Sequence, residues 1–431
     1  MKSNKINSQY PNLMLRWAKD LFPICRSITG EGTRKTIYYL KKINKELKIL
    51  KFKSGTKVFD WKIPLEWSIK NSYIEHSSGK RFAEFNKNNL HILHYSIPVQ
   101  KILAREKLLP NIYTQPGQPK RIPYVTSYYT RRWGFCMSQN EKQKLPRGKY
   151  KVVIKSKIFK GELNIGEVFI KGKKKNQIIF STNICHPSMA NNELSGLVLS
   201  SALIKYIKNN FKKTNYSYKF LFVPETIGPL AYLSKNLKYS KKNTIAGFVL
   251  SCVGDNRAYS YIESRLNNTL SDLALSSSLI NKKNVKNYSY LERGSDERQY
   301  CAPGIDLPIV GFCRSKYDTY PEYHTDADNF NVLTKEGLSG SFIVMKNIIN
   351  AFENGLYPKA KILGEPNLGK RNLYPTVSQK GHIKKTRLKM NLLSYSDGKK
   401  SVFEIAKLIN TPLHIVNEEL NILKSKGLIS I

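Results

Sequence analysis

The sequence predicts an α/β protein: a mostly parallel sheet flanked by helices, interrupted by a small β-rich insert and followed by a C-terminal winged helix. Three observations carry that expectation. Between residues 148 and 362, short apolar runs such as "NQIIFSTNI" and "YSYKFLFVP" alternate with helical runs such as "ELSGLVLSSALIKYIKNN", the rhythm of strands and crossover helices. Between 53 and 147 that rhythm gives way to short strand-like pieces separated by turn residues. From 363 to 431 the chain reads helix, turn, helix and short apolar strand, as in "SVFEIAKLINTPLHIVNEELNILKSKGLISI".

Composition narrows the function classes. With 431 residues, 41% hydrophobic and 11% aromatic, the chain has material for more than one core and is not of disordered type. No apolar stretch reaches the ~18 residues of a membrane span, and none near the start has signal-peptide form, so cytoplasm is the expected compartment. Six scattered cysteines without a CxxC pair read as reduced, mostly buried thiols rather than a disulfide framework or zinc ribbon. The formal net charge of +41 would attract polyanions. Its lysines run from end to end without clustering among aromatics, so the charge alone names no partner.

The elements follow in order. Residues 1–52 form the helical start of the main domain: 10–48 hold helical spacing, broken by the turn "SITGEGT" at 27–33, and "KELKILKFKSGTKVFDWKIP" at 45–64 then switches to strand-like alternation. In the insert, "SYIEHSSGKRFAEF" reads as a hairpin with a Ser-Gly turn and "NLHILHYSIPV" as a further strand; prolines at 110, 116, 119 and 123 make the later part loop-like. In the main domain, "TIAGFVLSCVG" and "LPIVGFC" supply two more strands, and "TIGPLAYLSKNL" and "NTLSDLALSSSLINKK" two more helices. His186, Glu225 and Asp255 each fall just after a strand, on the edge where ligands of parallel sheets gather. In the tail, Glu418 and Glu419 on the second helix suit a phosphate backbone poorly. Nucleic acid is therefore the lesser reading there, and a protein-interaction or dimerisation wing the greater; a homo-oligomer is compatible with it.

Five short motifs occur in a fixed order: "ICHPSMANNELSG", "FLFVPETIG", "FVLSCVGD", "RGSDERQYCAPGIDLPIVGF" and "EYHTDADN". Over residues 150–350 this order resembles zinc exopeptidases of the bacterial leucyl aminopeptidase type. With "FDWKIP", "PYVTSYY" and "RRWGFC" in the insert, the whole chain resembles a bacterial aminopeptidase-like family of unassigned function found among surface-polysaccharide synthesis proteins. The resemblance implies metal ligands at His186 and His324, a general base at Glu225, and a motif aspartate near the site at Asp296, with Tyr323 beside it. It also marks three departures: Asn192 stands at the bridging aspartate, Thr226 at one glutamate ligand and Ser251 at one aspartate ligand. An amide offers a hard cation a dipole where a carboxylate offers charge, so two-zinc chemistry is not expected.

At most one zinc is then implied, on His186 and His324 with a displaced carboxylate, Glu193 first and Asp255 next. The residues by themselves leave plainer roles open. Glu225 could cap the following helix, Asn191 and Glu193 are natural caps for the helix starting near 193, and Asp326 and Asp328 read as turn residues. Two functions follow: a hydrolase of a small peptide or other amide-bearing substrate, or a non-catalytic binding or scaffolding protein that kept the cleft.

Overall fold

The computed structural model describes residues 2–374 and 382–430. Its centre is an eight-stranded sheet. In chain order the strands are β1 (Lys48–Lys53), then, after the insert, β5 (Glu162–Ile170), β6 (Gln177–Asn183), β7 (Ser217–Val223), β8 (Thr244–Leu250), β9 (Tyr259–Ile262), β10 (Val285–Tyr288) and β11 (Ile309–Cys313). The spatial order is β1-β5-β7-β6-β8-β11-β9-β10. The middle four, β7, β6, β8 and β11, run parallel; β5 and β9 flank them antiparallel, β1 is antiparallel to β5 and β10 parallel to β9. The expected mostly parallel sheet is therefore present, and its edges are mixed.

Every residue of β6 and β7 is buried, because both faces of the sheet are covered. Alternate side chains enter two different cores. Ile178, Phe180, Phe220, Phe222, Phe248 and Phe312 face the helices α1 (Lys2–Leu21), α3 (Ser195–Asn210) and α6 (Lys335–Gly355). Phe180 stacks on Phe220 at 4.9 Å and on Phe248 at 5.4 Å. Burying one such ring stabilises the fold by roughly 1.5–3 kcal/mol. Ile179, Leu221, Val249 and Ile309 face the other way, toward α4 (Ile227–Asn243) and the insert. Two further helices, α2 (Glu31–Ile43) and α5 (Leu270–Ser278), complete the helical layers.

The insert folds around an antiparallel sheet of β2 (Glu66–His76), β3 (Val99–Ala104), β4 (Lys149–Phe159) and the short strand Arg81–Phe82. The Ser-Gly hairpin is present: Glu75 pairs with Arg81 across a turn at Gly79, whose φ of +85° suits glycine. The reading of "NLHILHYSIPV" as a strand is corrected. Asn88 accepts from the Leu90 amide and starts a 3₁₀ turn over Asn89–His91, Tyr95 takes φ +67°, and only isolated bridges form before Val99.

The C-terminal module contains α7 (His382–Tyr395), α8 (Val402–Leu408), α9 (Leu413–Ser425) and the strand Ile429–Ser430, which pairs with Lys359–Ala360. Leu392, Val402, Phe403, Val416, Leu420 and Leu423 belong to the same apolar core as α1, α3 and α6. The second helix of the helix-turn-helix, α9, lies against α6, and Asn417 donates to the Asn347 carbonyl at 3.0 Å.

Candidate active site

The parallel strands end in loops on one edge, and the chemistry-bearing residues collect there. After β6 the chain passes Cys185 and His186, makes one π-helical turn over Ala190–Leu194, and enters α3. Neither Asn191 nor Glu193 caps this helix. The cap comes from 136 residues away: the wholly buried Asp328 accepts the amides of Asn191 at 2.5 Å and Asn192 at 3.0 Å, and the Tyr320 hydroxyl at 2.9 Å. Burial raises the Asp328 pKa to about 6 against these donors.

The π turn frees Glu193 to point inward. Its Oε2 meets His186 Nδ1 at 2.8 Å, and its Oε1 lies 3.9 Å from the fully buried Arg26 guanidinium. Arg26, from the loop between α1 and α2, also donates to the carbonyls of His186 at 2.9 Å and Leu21 at 2.7 Å. His186 is thereby fixed at both its backbone and its Nδ1. Burial opposes a charged ring here, but Cys185 and the Glu193 carboxylate hold the His186 pKa well above the usual histidine range. Burial raises the neighbouring Cys185 thiol to about 11, so it remains a neutral thiol.

His186 Nε2 looks across the cleft to Glu225 Oε2 at 3.5 Å. Glu225 follows β7, and its other oxygen accepts from Asn183 Nδ2 at 3.1 Å and Ser295 Oγ at 3.3 Å. It does not cap α4: Thr226 occupies that position at φ +65°, with no side-chain cap bond. Asp296 sits behind, wholly buried, accepting the Thr226 amide at 2.7 Å. Burial and the nearby Glu225 raise its pKa well above the carboxylate range.

His324 completes the cluster from a loop after β11. Its ring lies 5.3 Å from that of His186, Tyr323 stacks on it at 3.9 Å, and the Tyr124 ring abuts both histidines edge-on at 5.3 Å. The residue takes φ +54°, a left-handed conformation uncommon outside glycine. The insert holds it there. Tyr124 donates its amide to the His324 carbonyl at 2.8 Å, and Ile122 donates its amide to Asp326 Oδ1 at 2.8 Å. His324 Nε2 is buried without a hydrogen-bond partner, and burial, with His186 nearby, lowers its pKa well below the usual range.

The structure thus gathers His186, His324, Glu225, Glu193 and Tyr323, with Asp296 behind Glu225. Asn192 and Asp255 are otherwise engaged. The Asn192 amide lies between Met189 Sδ at 3.8 Å and Cys252 Sγ at 3.4 Å. Both Asp255 oxygens are taken by the amides of Arg257 and Ser315, the Ser315 hydroxyl and Asn191. Among the described residues, one three-residue set of metal-ligating groups closes to within 4.8 Å, Cys185, His186 and Glu193; the protonated thiol and the Arg26 guanidinium 3.9 Å from Glu193 make it a poor cation site. A single ion could instead be held by the Nε2 atoms of His186 and His324, provided His186 gives up its ring proton on binding. The first belongs to a ring whose Nδ1 is anchored on a carboxylate, as ligating histidines usually are, and the second is an orphaned, neutral nitrogen.

Comparison with known proteins shows the family and the fold. Residues 15–355 match the family described as a domain of unknown function, DUF4910, and residues 356–431 match a winged helix-turn-helix family. A Clostridium acetobutylicum protein with the provisional name of a polysaccharide biosynthesis protein with aminopeptidase-like domain is 40% identical over 395 residues, covering 90% of this chain and 89% of its own. A crystal structure from the same organism, provisionally described as a peptidase, is 37% identical with a TM-score of 0.91, covering 100% of this chain and 98% of its own. A zinc aminopeptidase from Bacillus subtilis shares the fold at 12% identity and a TM-score of 0.56, over 78% of this chain and 93% of its own.

Proposed function

Since the chain belongs to the DUF4910 family and has an aminopeptidase-like fold, we propose that its cleft hydrolyses an amide or peptide bond. The observation that carries this reading is the facing pair His186 Nε2 and Glu225 Oε2 at 3.5 Å, with the histidine anchored from behind by Glu193 and the unpartnered Nε2 of His324 alongside. His186 and His324 would hold one zinc ion, which when bound supplies a Lewis acid for the amide carbonyl.

The chain's own residues then divide the work. Asn183 and Ser295 hold one oxygen of Glu225 and leave Oε2 turned to the cleft. Oε2 accepts a proton from the attacking water and returns it to the leaving nitrogen, so that amide and water become carboxylic acid and amine. Burial, and next the nearby Glu225, push the Asp296 carboxyl well above the usual carboxylate range, so a negative charge behind the base is disfavoured. The relative's name joins an aminopeptidase-like domain to polysaccharide biosynthesis, and we place this chain's activity there as well.

The test begins with metal analysis of protein purified without chelator or histidine tag. One zinc per chain, lost in the His186→Ala/His324→Ala double variant, is expected. Glu225→Gln should keep the metal and lower kcat on a responsive amide by about 10²–10⁴. The substitution of the bridging position by Asn192 favours a second reading, a non-catalytic binding protein. No metal in any preparation, even after zinc is supplied, would establish that second reading and end the first.

A further inference from the structure

The cleft in front of His186 and Glu225 encloses about 320 Å³, at the lower end of the roughly 300–1,000 Å³ of small-ligand sites. Its two walls differ in origin. The α/β domain contributes His186, Glu225, Thr226 and Arg298, and the insert contributes Trp61, Thr126, Tyr128 and Tyr129. Trp61 and Tyr129 meet edge to face at 5.7 Å while leaving 38% and 54% of their surface open. Two large aromatic side chains left this exposed at the mouth of a pocket mark a surface meant to be covered.

Hydroxyls interrupt these faces. Thr126, Tyr128 and Tyr129 from the insert and Thr226 opposite all line the same space. Tyr128 meets the Tyr124 hydroxyl, Tyr129 reaches the Lys62 carbonyl and Thr226 accepts from Arg298, so these oxygens are held in place and keep spare lone pairs for a polar ligand. A pyranose ring suits them: its C–H face, bearing partial positive charge, matches the negative face of an aromatic ring, and its hydroxyls match the polar rim.

The charge points the same way. Glu225 is the one carboxylate lining this cleft among the described residues, and its oxygens already face Asn183, Ser295 and His186. Nothing there grips a free α-ammonium group. The exposed charge at the rim is the guanidinium of Arg298, which donates to the Thr226 hydroxyl and has further donors for a carboxylate.

We infer that the cleft takes an N-acylated amino sugar carrying a carboxylate, its ring lying against Trp61 and Tyr129, its acid at Arg298 and its amide toward Glu225. The position of the amide rests on the hydrolase reading above; the sugar site itself does not.

The experiment is a titration of the full chain with N-acetylmuramic acid, N-acetylglucosamine and leucinamide, followed by saturation-transfer NMR and tryptophan fluorescence. N-acetylmuramic acid should bind about tenfold more tightly than N-acetylglucosamine, the acid adding one charge-assisted contact. Trp61→Ala and Tyr129→Ala, both at exposed positions, should each weaken both sugars about five- to tenfold. Arg298→Gln should bring the two sugars to equal affinity. Leucinamide binding in preference to the sugars, or no sugar binding at all, would overturn the inference. Sugar binding retained in wild type and Glu225→Gln, with no acetate released by wild type from either sugar, would sustain the sugar site and overturn the placement of the amide at the base.

Discussion

His186, Glu225 and His324 were legible because each follows a strand or motif of recognisable form, and a resemblance carries over residue by residue. The roles of Asp328, Arg26 and Tyr124 were not, although Asp328 matches a motif aspartate of the family it resembles. Their roles arise from contacts spanning 136 to 200 positions, and nothing in a local window marks an aspartate as the cap of a distant helix. Glu193 shows the same limit. Its place near a helix start suggests a cap, and only the π turn reveals that it orients His186. His94 is another residue whose setting the sequence hides. It lies wholly buried between Trp67 at 5.3 Å and Tyr124 at 5.4 Å, and burial lowers its pKa to about 3. The unfolded chain therefore takes up this proton first as pH falls below the ordinary value near 6.5. Its contribution to stability is complete above that pH and is lost on acidification toward 3, by up to about 1.4 kcal/mol per pH unit. Urea unfolding at pH 7 and pH 5 should show a larger loss for wild type than for His94→Phe; equal losses would mean that the imidazole is solvated.

Among elements, the strands and helices of the α/β domain were readable from apolar alternation alone, since tertiary burial there agrees with local pattern. The insert was less so. A Tyr95 held at φ +67° and a turn capped by Asn88 override strand-like composition in "NLHILHYSIPV". The helix-turn-helix was visible from spacing, but not which side of it is covered. α9 buries Leu413, Val416, Asn417, Leu420 and Leu423, and Glu419 pairs with Lys389 at 3.0 Å. The exposed remainder includes His414, Glu418, Asn421 and Lys424, a mixed face rather than a basic one. Duplex DNA should therefore bind the full chain without sequence preference and dissociate at moderate salt, as checked by filter binding against salt. A discrete sequence held at physiological salt would show that α9 leaves α6. Leu420→Ala, at 2% exposure, should cost about 2–5 kcal/mol through the cavity it opens, measured by denaturant melting.

At the scale of the whole molecule, segments that read as separate in sequence share interiors. The winged helix enters the core beneath α1, α3 and α6, and the insert enters the core beneath α4. Calorimetry should accordingly show one cooperative transition for the full chain; two resolved transitions would mean that one of these shared cores is not energetically continuous. The net charge of +41 should make that transition rise in temperature with added salt, as self-repulsion is screened. The bond from the Tyr124 amide to the His324 carbonyl has a consequence of another kind. The insert is at once a wall of the cleft and the clamp on a histidine in an unfavourable backbone conformation. The clamp is made while the mouth of the cleft stands open, so whatever shifts the insert would reshape the cleft and release the His324 backbone together, as one keystone serves two arches.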